Sequence, residues 1–388
     1  MALLTAIGLM SDPSFDGVSA AVVRTDGEAA VEVGPSRRRA YDRAAKVMCR
    51  RAAKAALEGR DAAKDVVDAE NAVTRAHAAA AVELLDKAGL SAGEVDVVGL
   101  HGHTILHRSA ARSIDGRGRT WQIGDAGALS DAGGAPVVSN FRAADVALGG
   151  EGAPLASVYH AARARAYAAA SGAPGPVAVL DLGEVATVTY AGRSARNIDL
   201  VAFDCGPAGG LLDAWMTEKA GEPMDRDGAA ARAGRVRRDV LRALLAHDFL
   251  RRPPPKRLDR YDFTLDAVGD LSLFDGAATL TAFAAACARV SLEHMPEPPA
   301  LWIVVGPARR NPALMEALRK AVDAPVRLAE DAGWRGDDAD AESVAYLAVR
   351  SLRKLPLSYP KTTGAPRPVA GGELVGARDA EAVLARGA

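Results

Sequence analysis

Ala6-Ile7-Gly8-Leu9-Met10-Ser11-Asp12-Pro13-Ser14-Phe15-Asp16-Gly17-Val18-Ser19-Ala20-Ala21-Val22-Val23-Arg24 is the stretch that decides the fold. Ala6–Met10 is apolar, Ser11–Gly17 is rich in turn formers, and Val18–Arg24 returns as an apolar run before Asp26-Gly27 turns the chain. Short apolar runs bounded by turn residues predict strand, tight turn, strand. The pattern recurs at Val177–Leu182 and Ala186–Tyr190, and each pair is followed by strands alternating with helices. That order predicts α/β layers in two related halves with a cleft between them.

Further strands are expected at Val95–His101, Thr120–Ile123, Pro136–Ser139, Leu200–Phe203 and Leu301–Val305. Helical spacing marks Ala40–Leu57, Asp68–Ala88 closing at Gly89, Val158–Ala170, Leu211–Lys219, Ala230–Leu250, Gly276–His294, Pro312–Val322 and Glu342–Leu352. The expected division is an N-terminal domain over 1–138, with 352–388 packing back on it, and a second domain over 139–351.

At 388 residues, two domains are the natural expectation. The 48 basic and 49 acidic residues give a net charge of −1, which argues against partnership with nucleic acid or an anionic membrane. The Arg-rich stretches Ser36–Arg39 and Arg232–Arg238 read as solvated helix faces or loops. Cys49, Cys205 and Cys287 form no CxxC pair, which excludes a disulfide scaffold and fits a reducing compartment. The N-terminus lacks the basic start of a signal peptide, and no apolar stretch is expected to reach the roughly 18–20 residues that span a bilayer. A cytoplasmic protein is expected.

Four constellations carry chemistry. The turn Ser11–Gly17 can aim backbone N–H groups and the Ser14 hydroxyl at a phosphate, with Asp16 holding hydrated Mg2+; it also suits a plain hairpin with polar tips. Asp204 closes an apolar strand before Gly206-Pro207, where partial desolvation tends to raise a carboxyl toward a useful general base; a helix N-cap is the other role open to it. Gly149, Gly150 and Gly152 permit close backbone approach to a ligand, or form an ordinary loop. His101, His103, Thr104 and His107 suit recognition of a hydroxyl-rich sugar better than a metal, since no acidic or Cys partner lies at ligand spacing.

Together and in this order, the segments resemble the anhydro-N-acetylmuramic acid kinase family, over essentially the whole chain. The carriers are Leu100-His101-Gly102-His103-Thr104, Gln122-Ile123-Gly124-Asp125, the run from Asn140-Phe141-Arg142 through Gly152-Ala153-Pro154-Leu155, and Phe203-Asp204-Cys205-Gly206-Pro207 with Leu212-Asp213-Ala214-Trp215. Asp225-Arg226-Asp227-Gly228 and Arg309-Arg310-Asn311-Pro312 complete the series. The resemblance implies two RNase-H-like α/β domains of the actin/hexokinase type around an interdomain cleft. It implies ATP and Mg2+ as cofactors, with no metal site of the protein's own. It implies an amino-sugar substrate, 1,6-anhydro-N-acetylmuramic acid, phosphorylated on O6 while water opens the anhydro ring at C1. The product, N-acetylmuramic acid 6-phosphate, belongs to cell-wall recycling. A homodimer is implied as well. By the same resemblance Asp204 activates the water. Asp12, Pro13, Ser14, Phe15, Asp16, Gly17, Val18, Ser19, Gly183, Gly206, Gly306 and Asn311 lie on the nucleotide. His101, Thr104, Asp145, Gly149, Gly150 and Gly152 lie on the sugar.

The sequence departs from the family pattern on the nucleotide side. Asp12-Pro13 replaces Gly-Thr, which removes a backbone donor and a hydroxyl and adds a negative charge. At about 4 Å and an effective dielectric near 20, that charge repels a phosphate by on the order of 4 kcal/mol before screening. Glu184 and Thr187 stand where the family tends to have Gly and Asn, Ala208-Gly209 replaces Gly-Asn, Pro307-Ala308 replaces two glycines, and Asn140 replaces an acidic residue. Two outcomes are open: a kinase with re-packed loops, or a pseudokinase that binds sugar or a partner with impaired ATP binding.

Overall fold

A computed structural model describes residues 2–11, 15–109, 113, 116–194, 197–258, 262–376 and 383. Asp12, Pro13 and Ser14 therefore lie outside the described residues. The chain divides into two compact units, Met1–Arg163 with Asp338–Ala388, and Ala164–Asp337. The first division falls later than the expected 138/139, and the second earlier than 351/352.

The first unit opens with β1 (Leu4–Ser11), β2 (Gly17–Thr25) and β3 (Val31–Ala40). Helices α1 (Arg43–Leu57) and α2 (Lys64–Ala88) lead to β4 (Val97–Arg108), β5 (Arg119–Ile123), α3 (Ala126–Gly133), β6 (Val137–Ser139), α4 (Ala143–Ala147) and α5 (Ser157–Ser171), whose residues from Ala164 on belong to the second unit. The second unit holds β7 (Val177–Leu182), β8 (Val185–Ala191), β9 (Leu200–Pro207), α6 (Gly209–Ala220), α7 (Ala229–Ala233), α8 (Arg238–Leu245), α9 (Asp248–Arg251), α10 (Leu273–Ser291), β10 (Leu301–Val305), α11 (Pro312–Ala321) and β11 (Val326–Leu328). The chain returns to the first unit as α12 (Ala339–Leu352), α13 (Pro360–Thr363) and β12 (Glu373–Val375).

One topology occurs twice. In the first sheet β3-β2-β1-β4-β6 are neighbours; β1/β2 and β2/β3 are antiparallel, whereas β1/β4 and β4/β6 are parallel. In the second sheet β9-β8-β7-β10-β11 repeats that order and those directions. These are two RNase-H-like α/β domains, the fold class expected. Antiparallel hairpins need only tight turns, while the parallel steps need helical crossovers, which is why helices follow the third strand of each sheet.

Glycine at position 8 is what lets α12 belong to the first unit. A Cβ there would sit 1.9 Å from the Ala341 carbonyl oxygen, and one on Gly99 2.6 Å from that of Val344. The helix backbone therefore lies directly on β1 and β4. Glu342 of α12, buried, meets Tyr159 and Arg163 of α5. α2 buries Val66, Ala69, Val73, His77, Ala80 and Leu84, a helical stripe against the sheet.

Several expectations are corrected. Ser36–Arg39 belongs to edge strand β3, where Arg37 and Arg39 pair with Glu83 of α2. Charged edge strands resist pairing with other chains. The helix expected over Ala230–Leu250 is broken into three: the backbone turns extended at Gly234, which packs so closely on Phe274 that a Cβ would lie 1.9 Å from its carbonyl oxygen, and the helix stops again after Leu245. β4 runs on to Arg108, so His103, Thr104 and His107 lie within a strand. Among the described residues one helix, Leu273–His294, is long and apolar enough to cross a membrane, contrary to expectation. It is a core helix, with Leu280, Phe283 and Cys287 buried against neighbouring helices of its unit.

Candidate active site

The centre of the second unit's site is Asp204. β8 and β9 are paired Ala186↔Gly206 and then Thr187↔Asp204, which leaves Cys205 as an extra residue. A bulge of this kind re-aims side chains. It sets Asp204 opposite Thr187 while Phe203 stays in the core opposite Val188. The Thr187 hydroxyl donates to Asp204 Oδ1 at 2.8 Å, and the Leu258 N–H donates to Oδ2 at 2.9 Å. The Asp204 N–H donates to the Lys256 carbonyl at 3.1 Å. Asp204 is 9% exposed, so the carboxylate is largely desolvated yet reachable. Lys256 anchors this strap: its ammonium donates to the carbonyls of Phe249 and Leu250, and burial pushes its pKa down to about 8. Of the two roles open to Asp204, the helix cap is not observed, since α6 has no side-chain cap.

The same unit carries several glycine turns. The Gly183 carbonyl accepts from Gly209 N–H, and the Glu184 carbonyl accepts from Ala208 and Gly210 N–H, over 2.9–3.1 Å. The β7–β8 turn is thereby stitched to the start of α6. Gly206 lies so close to Cys287 that a Cβ would sit 2.4 Å from its sulfur. Gly306 adopts φ +83, where a Cβ would sit 2.3 Å from Asp181 Oδ1, so only glycine fits. Pro307 starts a short 3-10 turn, where its missing N–H costs nothing. Under that turn Arg309, buried, binds Glu330, Asp337 and the Gly306 carbonyl. The Asn311 amide is committed to structure: Oδ1 caps α11 by accepting from Ala313 and Leu314 N–H, and Nδ2 donates to the Asp225 carbonyl. Burial, with Glu184 and Asp225 adding negative field, pushes the Asp213 carboxyl up to about 6.

In the first unit Asp145 is 1% exposed. It accepts from Gly152 N–H at 2.7 Å, from the Thr363 hydroxyl at 2.6 Å and from the Ser358 hydroxyl. Its carboxylate is thus an anchor for the loop carrying Gly149, Gly150 and Gly152. Burial, then the Arg142 guanidinium, hold His101 down at about 3. The ring is neutral, with Nε2 accepting from Arg142 at 3.1–3.2 Å and Nδ1–H donating to the Gly102 carbonyl. Arg142 also donates to the Gly152 carbonyl, and His107 Nε2–H to that of Glu151. Thr104 Oγ1 accepts from Gln122. Arg142 therefore ties His101 to the glycine loop, Thr104 meets Gln122 of β5, and Asp145 anchors the loop.

Of the first loop, Ser11 Oγ lies between Tyr41 OH at 2.8 Å and His103 Nδ1 at 2.9 Å. Phe15 packs on His103, with ring centroids 4.7 Å apart. Asp16 pairs with Lys46 at 3.2 Å, a half-exposed contact worth little by itself. A Gly17 Cβ would lie 2.1 Å from the Arg39 carbonyl oxygen; Val18 is buried, and Ser19 is half-buried. Sequence reasoning missed Leu258 and Arg142 as site-forming residues, because both act across long sequence separations.

A two-unit α/β chain of doubled RNase-H-like topology, with a desolvated carboxylate and glycine turns in its second unit, has the makings of a group-transfer enzyme. The family model for anhydro-N-acetylmuramic acid kinase matches residues 4–377. The anhydro-N-acetylmuramic acid kinase of Rhizorhabdus wittichii is 45% identical over 96% of this chain and 99% of its own length. That of Rhodospirillum rubrum is 46% identical over 95% of this chain and 93% of its own. The chain belongs to the anhydro-N-acetylmuramic acid kinase family. Among solved structures, component A of the Acidaminococcus fermentans (R)-2-hydroxyglutaryl-CoA dehydratase aligns at 10% identity with a TM-score of 0.47, over 89% of this chain and 98% of that one.

Proposed function

We propose that this chain is an ATP-dependent kinase acting on 1,6-anhydro-N-acetylmuramic acid. Water adds to C1, its proton passes to Asp204, the C1–O6 bond breaks, and O6 takes the γ-phosphoryl group of ATP. The products are N-acetylmuramic acid 6-phosphate and ADP. The observation that carries this reading is the setting of Asp204 in a chain that belongs to the family over 4–377. Each of its oxygens accepts one hydrogen bond among the described residues, and an ionised carboxylate has about four acceptor sites, so capacity remains for a water. A base needs that reach, and phosphoryl transfer otherwise rests on positioning and charge stabilisation.

The turns at Gly183, Gly206 and Gly306 and the segment from position 12 to 19 are assigned to the nucleotide. For Asn311 this leaves the backbone of its turn. His101, Thr104 and the loop at Gly149, Gly150 and Gly152 are assigned to the sugar, with Asp145 holding that loop. Mg2+, when bound with ATP, offsets phosphate charge and keeps most of its waters. Glu184 and Asp213 fit as its outer partners, since their mutual repulsion would be relieved by a cation. Among the described residues no cluster of three acidic, His or Cys side chains forms a metal cage. A cytoplasmic homodimer acting in peptidoglycan recycling is part of the proposal. The test is product formation from Mg-ATP and the anhydro-sugar. Sugar binding without turnover would favour the pseudokinase instead.

A further inference from the structure

We infer that Thr187 is a positioning residue that orients Asp204 for proton abstraction, an inference that rests on the proposed function. The geometry is local and complete. Cys205 bulges from β9, so Asp204 stands directly across from Thr187 and shares its face of the sheet. Thr187 is half-buried and β-branched, which restricts its χ1 and fixes where the hydroxyl points. That hydroxyl donates to Oδ1 at 2.8 Å, while Leu258 N–H holds Oδ2 at 2.9 Å. With one donor on each oxygen, the plane of the carboxylate is set from two sides. One of these holds is a backbone group, and Thr187 is the side chain that supplies the other.

Removing the Thr187 hydroxyl leaves the carboxylate free to rotate about its one remaining side-chain contact, the Leu258 N–H on Oδ2.

The test is the steady-state kinetics of the full chain with Thr187→Val, Thr187→Ser and Thr187→Ala, and with Asp204→Asn alongside. Thr187→Val should lower kcat about tenfold, the size expected for one bond to a charged group. KM for ATP and for the sugar should stay within about twofold, and Thr187→Ser should restore the parent kcat. Thr187→Ala reads the same way if the valine variant does not fold. An unchanged kcat in both Val and Ala variants, or a rise in KM for ATP with kcat intact, overturns the inference. Asp204→Asn separates the two levels: a dead asparagine variant beside a fully active Thr187→Val sinks the role of Thr187 only. A fully active asparagine variant sinks the base assignment itself.

Discussion

The hydroxyl of Thr363 donates to the buried carboxylate of Asp145 across 2.6 Å, joining the glycine-rich loop to a segment more than two hundred residues later in the chain. Gly152 N–H and the Ser358 hydroxyl complete the set, so the carboxylate holds three donors in a dry site. Asp145→Ala leaves those donors unsatisfied. At about 1–3 kcal/mol for a stranded buried group, a loss of at least about 2 kcal/mol is expected. A chemical melt should register it, with sugar affinity falling as a consequence of the loosened loop. Unchanged stability with lost sugar affinity would mean that Asp145 contacts the sugar directly.

Gly8→Ala should unseat α12. The new methyl group would overlap the Ala341 carbonyl, a backbone atom that cannot swing away. Overpacking typically costs about 1–3 kcal/mol, and the fixed backbone puts this case at the upper end. Hydrogen exchange should show faster opening of Ala339–Leu352 with little change in the second unit. Equal protection in parent and variant would contradict the packing described.

Three of the buried histidines, His77, His101 and His160, predict acid sensitivity. Burial is the main cause in each case, and it holds His77 and His160 down at about 4 and His101 at about 3. The unfolded chain protonates them near 6.5, so between about 6.5 and 4 the unfolded state binds more protons and stability falls as pH falls. Each histidine can contribute up to about 1.4 kcal/mol per pH unit in that window. His77→Leu should flatten the slope of unfolding free energy between pH 6.5 and 5 by up to one proton. Urea titrations across that range give the slope directly, and an unaltered slope would show that His77 is not buried neutral.

The fold was largely legible because β1, β2, β7 and β8 are short apolar runs closed by turn residues, a local signal. The break at Gly234 was not, because the backbone that Gly234 packs on, at Phe274, is forty residues on. At the site, Asp204 could be picked out by its strand and the Gly206-Pro207 that follows. Thr187 could be counted only as a departure on the nucleotide side; the structure places its hydroxyl on Asp204 instead, through a bulge that no local pattern announces. Asp145 is assigned to the sugar by the family resemblance alone; that its carboxylate holds the Ser358 and Thr363 hydroxyls could not be foreseen, because they come from the far end of the chain. Pro307 looked disruptive, yet it opens a turn where a missing N–H is harmless.

The proposed role of Asp204 is to activate the water that opens the sugar ring as ATP phosphorylates O6. Mass analysis of the product formed from Mg-ATP and 1,6-anhydro-N-acetylmuramic acid in 18O-labelled water, for the parent and for Asp204→Asn, tests it most directly. The account predicts a phosphorylated, ring-opened sugar carrying one labelled oxygen at C1 from the parent. It predicts a rate lower by about 10²–10⁴ in a folded asparagine variant, the range expected for loss of a general base. A folded parent that binds the sugar but yields no such product, or an asparagine variant that turns over near the parent rate, would contradict it.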